Sequence, residues 1–375
     1  MALQRTQMYF QMTLLRLLGG SFLALVVAVA AVAKVPVDVD ASPLSKCWSY
    51  QASPDLSVAA GVDQKNIYFI DTDSRLHAVD MDSGTKLWSS DIGGTTVADL
   101  LVSGSSLFVA TSLGDISAGP QADGRLRSIS TQTGITSWVS DITVSDRISI
   151  GVLNGTVVTA TLSGEVSAFV RETGAAAWSK NLGFRLASYP IFEQGALTIV
   201  TVNNELLRIG ERGEVSRIAK LDNTPSALFS RTDSGTLVGD DRGNLVFISP
   251  GDKRVWSFKN GARISHILPF DSEYIVASDD NFIYKLTRGG AVEWKRRLSG
   301  RTTGKPLLIG NSFVASVVGE GDVYVIDARN GKILNRIEIG DGISAEISST
   351  SDHRGFAILH PQGLIRYSEE ACSAK

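Results

Sequence analysis

From Asn66 onward, apolar and polar positions alternate in short runs of five or six residues, as in Asn66-Ile-Tyr-Phe-Ile-Asp71, Ser106-Leu-Phe-Val-Ala-Thr111 and Asn311-Ser-Phe-Val-Ala-Ser316. Runs this short, rich in β-branched and aromatic residues and bounded by Gly, Asn, Asp and Ser, predict strands. After residue 35 no stretch sustains a helical period. The runs come about four to a group, and the groups are marked by Trp88, Trp138, Trp178, Trp256 and Trp294, which recur roughly every 40 residues. The rule is glycine, three residues, tryptophan: Gly84 to Trp88, Gly134 to Trp138, Gly174 to Trp178 and Gly290 to Trp294, with one extra residue from Gly251 to Trp256. Gly213 leads instead to Arg217, and Gly331 to Asn335. With Trp48, the slots fall at 48, 88, 138, 178, 217, 256, 294 and 335, which makes eight.

Four antiparallel strands in a repeat of about 40 residues describe a propeller blade, whose two faces are buried only by its neighbours. The fold class is therefore all-β: an eight-bladed β-propeller of four-stranded antiparallel blades. The blades are expected at 57–93, 94–142, 143–183, 184–223, 224–261, 262–300 and 301–342, with the eighth built from 343–375 plus 46–51. Trp48, Trp88, Trp138, Trp178, Trp256 and Trp294 are assigned to packing between blades, each contributing roughly 4–6 kcal/mol gross at about 25 cal/mol per Å². Gly84, Gly134, Gly174 and Gly290 are expected to take positive φ in their turns. Arg217 and Asn335 predict looser packing in blades four and seven.

The two cysteines, Cys47 and Cys372, stand at opposite ends of the repeat region. Aligning residues 363–372 with residues 75–84 puts Cys372 in a turn, while Cys47 precedes Trp48 as Leu87 precedes Trp88. That register makes Lys46 to Tyr50 the outermost strand of the last blade and closes the ring non-locally. In an oxidising compartment the pair forms a disulfide across the seam; the other reading is two unrelated thiols.

The organisation is then a signal or anchor segment at 1–35, a linker at 36–45 and the propeller at 46–375. Arg5 and Arg16 precede an uncharged apolar stretch from Leu17 to Ala33, an export signal with its positive end inside. Ala31-Val-Ala33 fits a cleavage site, while the length of the stretch favours a retained anchor at residues 14–35 in the inner or plasma membrane. Either way the propeller is expected outside the cytoplasm, on the periplasmic or cell-envelope side. A net charge of −3 and a pI near 5.9 provide no basic field for nucleic acid.

The repeated Ala-x-Asp-x-x-(Ser/Thr)-Gly-x-x-x-Trp pattern, best at Ala78 to Trp88, resembles the tryptophan-docking repeat of quinoprotein-like (PQQ-like) β-propellers over residues 46–375. Arg185-Leu-Ala-Ser-Tyr-Pro190 and Arg301-Thr-Thr-Gly-Lys-Pro306, opening two blades, are similar to the BamB-type members, scaffold subunits of outer-membrane β-barrel assembly. The resemblance implies a non-catalytic envelope scaffold, a monomeric propeller within a complex, whose partners are envelope or membrane proteins. It departs from that type in lacking a lipobox before Cys47. A PQQ-dependent dehydrogenase is the enzymatic alternative; such enzymes add long insertions and usually a vicinal Cys-Cys pair, neither of which this chain has. His77, His266, His353 and His360 are scattered over separate blades, so no catalytic residue, metal site or cofactor is expected.

Two features suit binding. Arg147, Arg185, Arg263 and Arg301 lie near the start of innermost strands, the last three each seven residues beyond the preceding Trp. They point to a basic channel mouth for a carboxylate-rich loop or, alternatively, an anionic small molecule or glycan; the competing reading is local pairing with acids. Blade two exceeds the others by ten residues, at Leu113 to Gly124, a surface loop in which Asp115, Pro120 and Asp123 are candidate contacts. Acidic residues in the turns between second and third strands, from Asp71 to Asp322, suggest an outer acidic crown.

Overall fold

The computed structural model describes residues 44–375 except 53–55, 115–121, 194, 232–234, 250, 252, 320, 341–345, 350–354, 369–371 and 373–375. The described strands form eight antiparallel sheets, and in each of seven the chain runs consecutively from the innermost strand to the outermost. The innermost strands of successive blades touch one another all the way round, from blade one through blade eight and back to blade one. The array is a closed ring.

The eighth sheet closes it. Glu346–Ser349, Gly355–His360 and Gly363–Ser368 supply three strands, and Ser45–Gln51 adds the fourth at the outside, with Trp48 opposite Arg366. Cys47 and Cys372 are joined in a disulfide, their Cα atoms 5.3 Å apart across 325 residues of sequence. The same N-terminal strand reaches into blade one, where Trp48 Nε1 donates to the Met81 carbonyl at 2.8 Å. One strand thus completes blade eight and docks on blade one.

Second strands are buried on both faces, as in Asn66–Asp71 and Ser312–Val317, and so is the third strand Asp322–Asp327, while other third strands, such as Glu165–Val170, alternate buried and half-buried positions. Alternation survives mainly in the outer strands, such as Lys253–Lys259. The reason is that the core lies between sheets: Phe108, Trp138, Val157 and Phe169 join blades two and three, and Ile275, Phe313 and Tyr324 join six and seven.

The indoles do the docking, and the structure assigns their glycines differently from the spacing rule. Each indole lies on the glycine turn of the following blade: a Cβ on Gly134 would stand 2.5 Å from the Trp88 ring, and Gly84, Gly174, Gly213, Gly290 and Gly331 meet Trp48, Trp138, Trp178, Trp256 and Trp294 in the same way. Nε1 then donates to a carbonyl of that turn, from Trp88 to Thr131, Trp138 to Arg171, Trp178 to Glu211 and Trp294 to Ala328, at 2.6–3.2 Å. Two residues further along the strand a second donor reaches the glycine carbonyl, in Ser140 to Gly174, Lys180 to Gly213 and Arg296 to Gly331.

The seam from blade four to blade five lacks both contacts. Arg217 is exposed and faces Glu205 of its own blade at 3.8 Å, and the next position along is Ala219. Gly251, at φ +92°, has nothing within 4 Å of where a Cβ would be. We expect Arg217→Trp to raise the denaturant midpoint, stabilising the ring by about 1–2 kcal/mol through partial indole burial; an unchanged midpoint would mean the seat does not accept the ring. The turn that would receive Asn335 lies outside the described residues.

Blade two differs from expectation. Its inner strand is split into Thr95–Thr96 and Leu101–Ser103, and its outer hairpin, Ala122–Ser130 with Thr136–Val144, has nine residues per strand. Part of the ten-residue excess is therefore paired strand and not loop. Asp123 pairs with Thr143 in that hairpin, which corrects its reading as a loop residue. The candidates Asp115 and Pro120 lie outside the described residues, as do residues 1–35, the expected signal or anchor segment.

Candidate functional site at the channel rim

Three of the four arginines occupy one structural position. The carbonyls of Arg185, Arg263 and Arg301 accept from Val202, Asp279 and Val318, each one or two residues beyond its blade's second strand, at 2.9–3.0 Å. These contacts set the arginines at the same end of blades four, six and seven. Thr224 holds the equivalent position in blade five, accepting from Asp241. Arg147 is out of register, because the neighbouring Asp146 side chain takes the amides of Leu162 and Ser163. The rim is a partial basic arc and not a ring.

The pairing of the arginines separates them further. Arg147 bonds Asp99, and Arg263 stands 3.8 Å from Asp279. Arg185 and Arg301 are exposed and have no ion pair among the described residues. The acidic crown does not survive as a set of free charges. Asp71 caps the amides of Asp73 and Arg75 and binds His77; Asp240 caps Arg242 and Asn244; Asp280 binds Tyr284; Asp322 holds Arg336. The turn calls for a side-chain oxygen at such positions whether or not a partner does, and Thr161 and Thr201 supply it in blades three and four.

Three residues unmarked by the spacing rule line the inner strands. Lys305 sits in an irregular stretch of blade seven between Thr303 and Leu307, where Gly-Lys-Pro interrupts the alternation. It faces His266, whose Nδ1 is buried without a hydrogen-bond partner. Burial first, then Lys305 and Arg263, push the His266 pKa down to about 4, with Asp279 opposing. On the inner strand of blade eight, next to blade seven, Glu346 is reached by water, yet its surroundings desolvate it; that and the Asp99 carboxylate raise its pKa, which Arg147 partly offsets.

The His266 shift fixes the sign of an acid response. The unfolded chain protonates this histidine near pH 6.5 and the folded chain only near pH 4, so stability falls as pH drops from 6.5 towards 4 and levels off below. The span corresponds to about 3 kcal/mol. In His266→Gln that part of the acid slope is expected to vanish from midpoints measured across the range; an unaltered slope would assign it to other groups.

Among the described residues no helix is long and apolar enough to cross a membrane, and no three His, Cys, Asp or Glu side chains converge as a metal site requires.

A closed ring of eight four-stranded blades, docked by tryptophan on glycine turns, defines a quinoprotein-like β-propeller. The family model described as outer membrane protein assembly factor BamB matches residues 37–214, 142–250 and 241–351, and the chain belongs to that family. The crystal structure of BamB from Moraxella catarrhalis superposes with a TM-score of 0.65 at 13% identity, covering 89% of this chain and 99% of that one. The computationally designed Ika8 protein is similar at a TM-score of 0.71 and 11% identity, covering 86% and 99%. At such identities the likeness is one of fold. No curated protein matches the sequence significantly.

Proposed function

We propose that the protein is a non-catalytic, extracytoplasmic scaffold of the cell envelope that binds envelope or membrane proteins through the rim of its propeller. It acts as a monomeric propeller within a complex, tethered to the membrane by residues 14–35. The observation that carries this reading is the pair Arg185 and Arg301, placed identically by their backbones and left without acid partners among the described residues. Two exposed guanidiniums at fixed positions favour bidentate docking of partner carboxylates. The family described as an outer membrane assembly factor supports the setting. The disulfide is consistent with an oxidising compartment.

The second reading is capture of an anionic small molecule, favoured by the convergence of Arg263, Lys305 and the unpartnered His266. The double variant Arg185→Glu/Arg301→Glu separates the two. In crosslinked membranes it is expected to lose co-purifying proteins by at least about tenfold, since each reversed charge pair is worth 1.4 kcal/mol or more. Loss of a small ligand alone would favour capture, and unchanged recovery of both would remove the arginine rim from the mechanism. The mass of the mature protein reports whether the anchor is retained.

A further inference from the structure

The seam between blades four and five keeps the receiving half of an indole seat and lacks the indole. Gly251 keeps the left-handed conformation of the other docking glycines, with nothing within 4 Å of where a Cβ would stand. Along the same seam a cavity of about 430 Å³ opens between the exit of blade four and the face of blade five. Leu221, Val238, Val246, Val255 and Trp256 supply its apolar lining, and Asp222 and Arg254 stand at its edge. Arg254 bonds the Asp222 carboxylate and reaches the Lys220 carbonyl at 3.3 Å, strapping the two blades together where a tryptophan does so elsewhere. The guanidinium holds Asp222 below the usual carboxylate range.

We propose that this seam is a docking site for an aromatic side chain, tryptophan above all, carried by a partner polypeptide. The choice of occupant comes from the chain itself. At each of the six seams where an indole is present, it is stacked on the glycine turn of the next blade. The same geometry left vacant is complementary to the same group arriving in trans. The cavity falls in the volume range of ligand sites. Val255 of the lining is 55% exposed and carries the apolar surface out to solvent. The Asp222 carboxylate offers an acceptor for an indole N–H, which an aliphatic chain or lipid tail would leave unused. Five apolar residues are too small a face for a second copy of the chain. Buried aromatic anchors of this kind dominate protein interfaces. The site is separate from the arginine rim and stands or falls independently of it.

The test uses the intact protein and N-acetyl-L-tryptophanamide, with N-acetyl-L-leucinamide as comparison, read by saturation-transfer NMR. A single side chain should bind with a Kd of about a millimolar. Transfer to the indole protons is expected on the wild type, stronger than to the leucine analogue. It should drop at least about fivefold in Val246→Trp, which fills the cavity from within, and in Arg217→Trp, which supplies the seam's own indole and closes the seat to one arriving in trans. Arg217→Trp guards against the chance that Val246→Trp misfolds. Arg185→Glu/Arg301→Glu should leave the transfer intact, which keeps this result distinct from that of the rim. No transfer to the indole, equal transfer to the leucine analogue, or transfer undiminished in a folded Arg217→Trp would each overturn the proposal.

Discussion

Replacing Cys47 and Cys372 by serine is expected to lower the stability of the ring by about 5 kcal/mol, because the bridge closes 325 residues of chain and the entropy removed from the unfolded state grows with the logarithm of loop length. The structure makes the loss larger in consequence than in a linear fold. Cys47 lies in the strand that completes blade eight, and the adjacent Trp48 is docked on Met81 and Gly84 of blade one. Arg366 of blade eight stands 3.5 Å from Asp82 of blade one, a second link over the same seam. A freed strand would therefore open two blades at once. Urea unfolding of the double serine variant, followed by tryptophan fluorescence, checks this; a midpoint within error of the wild type would show that Trp48 and the sheet hold the seam unaided.

Trp138→Ala should cost about 3–5 kcal/mol, the range for truncating a large buried aromatic. This indole is 8% exposed, packs against Phe108 with centroids 5.9 Å apart and donates to Arg171. Its partner tests the seat from the other side. In Gly174→Ala the new Cβ would fall 2.5 Å from the Trp138 ring at φ +73°, so left-handed strain of about 1–2 kcal/mol adds to the displacement of the indole. The two changes act on one contact and should be strongly non-additive. Additive losses in the double variant would mean that ring and glycine are not a unit.

Much of the fold was legible because a propeller writes one unit over and over. The Trp and Gly slots mark the blades, and the expected boundaries fall within a few residues of the strands; the pairing of the two chain ends followed from aligning the last repeat on the first. The direction of docking was not legible. Gly134 and Trp138 are four residues apart, yet Gly134 serves Trp88, since spacing along one strand cannot say which neighbour a side chain faces. The split inner strand of blade two escaped for a different reason: Val97, Ala98 and Leu100 are buried without forming a strand, so hydrophobicity alone does not distinguish them from a continuous run.

The rim was legible only in part. A seven-residue offset from tryptophan found Arg185, Arg263 and Arg301, because the connector between blades has constant length there. Arg147 broke the rule when Asp146 took the turn amides with its side chain. The acidic turn residues were visible as charges, but which of them are occupied by backbone amides depends on the turn conformation. His266, Lys305 and Glu346 acquire their shifts and neighbours only when separate blades converge on the axis.

The most direct test of the closed ring is mass spectrometry of an unreduced proteolytic digest of the monomer. A single species joining the Cys47 peptide to the Cys372 peptide, abolished by reductant, is the expected result. Two free thiols that take up label without reductant, or a bridge found only between chains, would contradict closure of blade eight by the N-terminal strand.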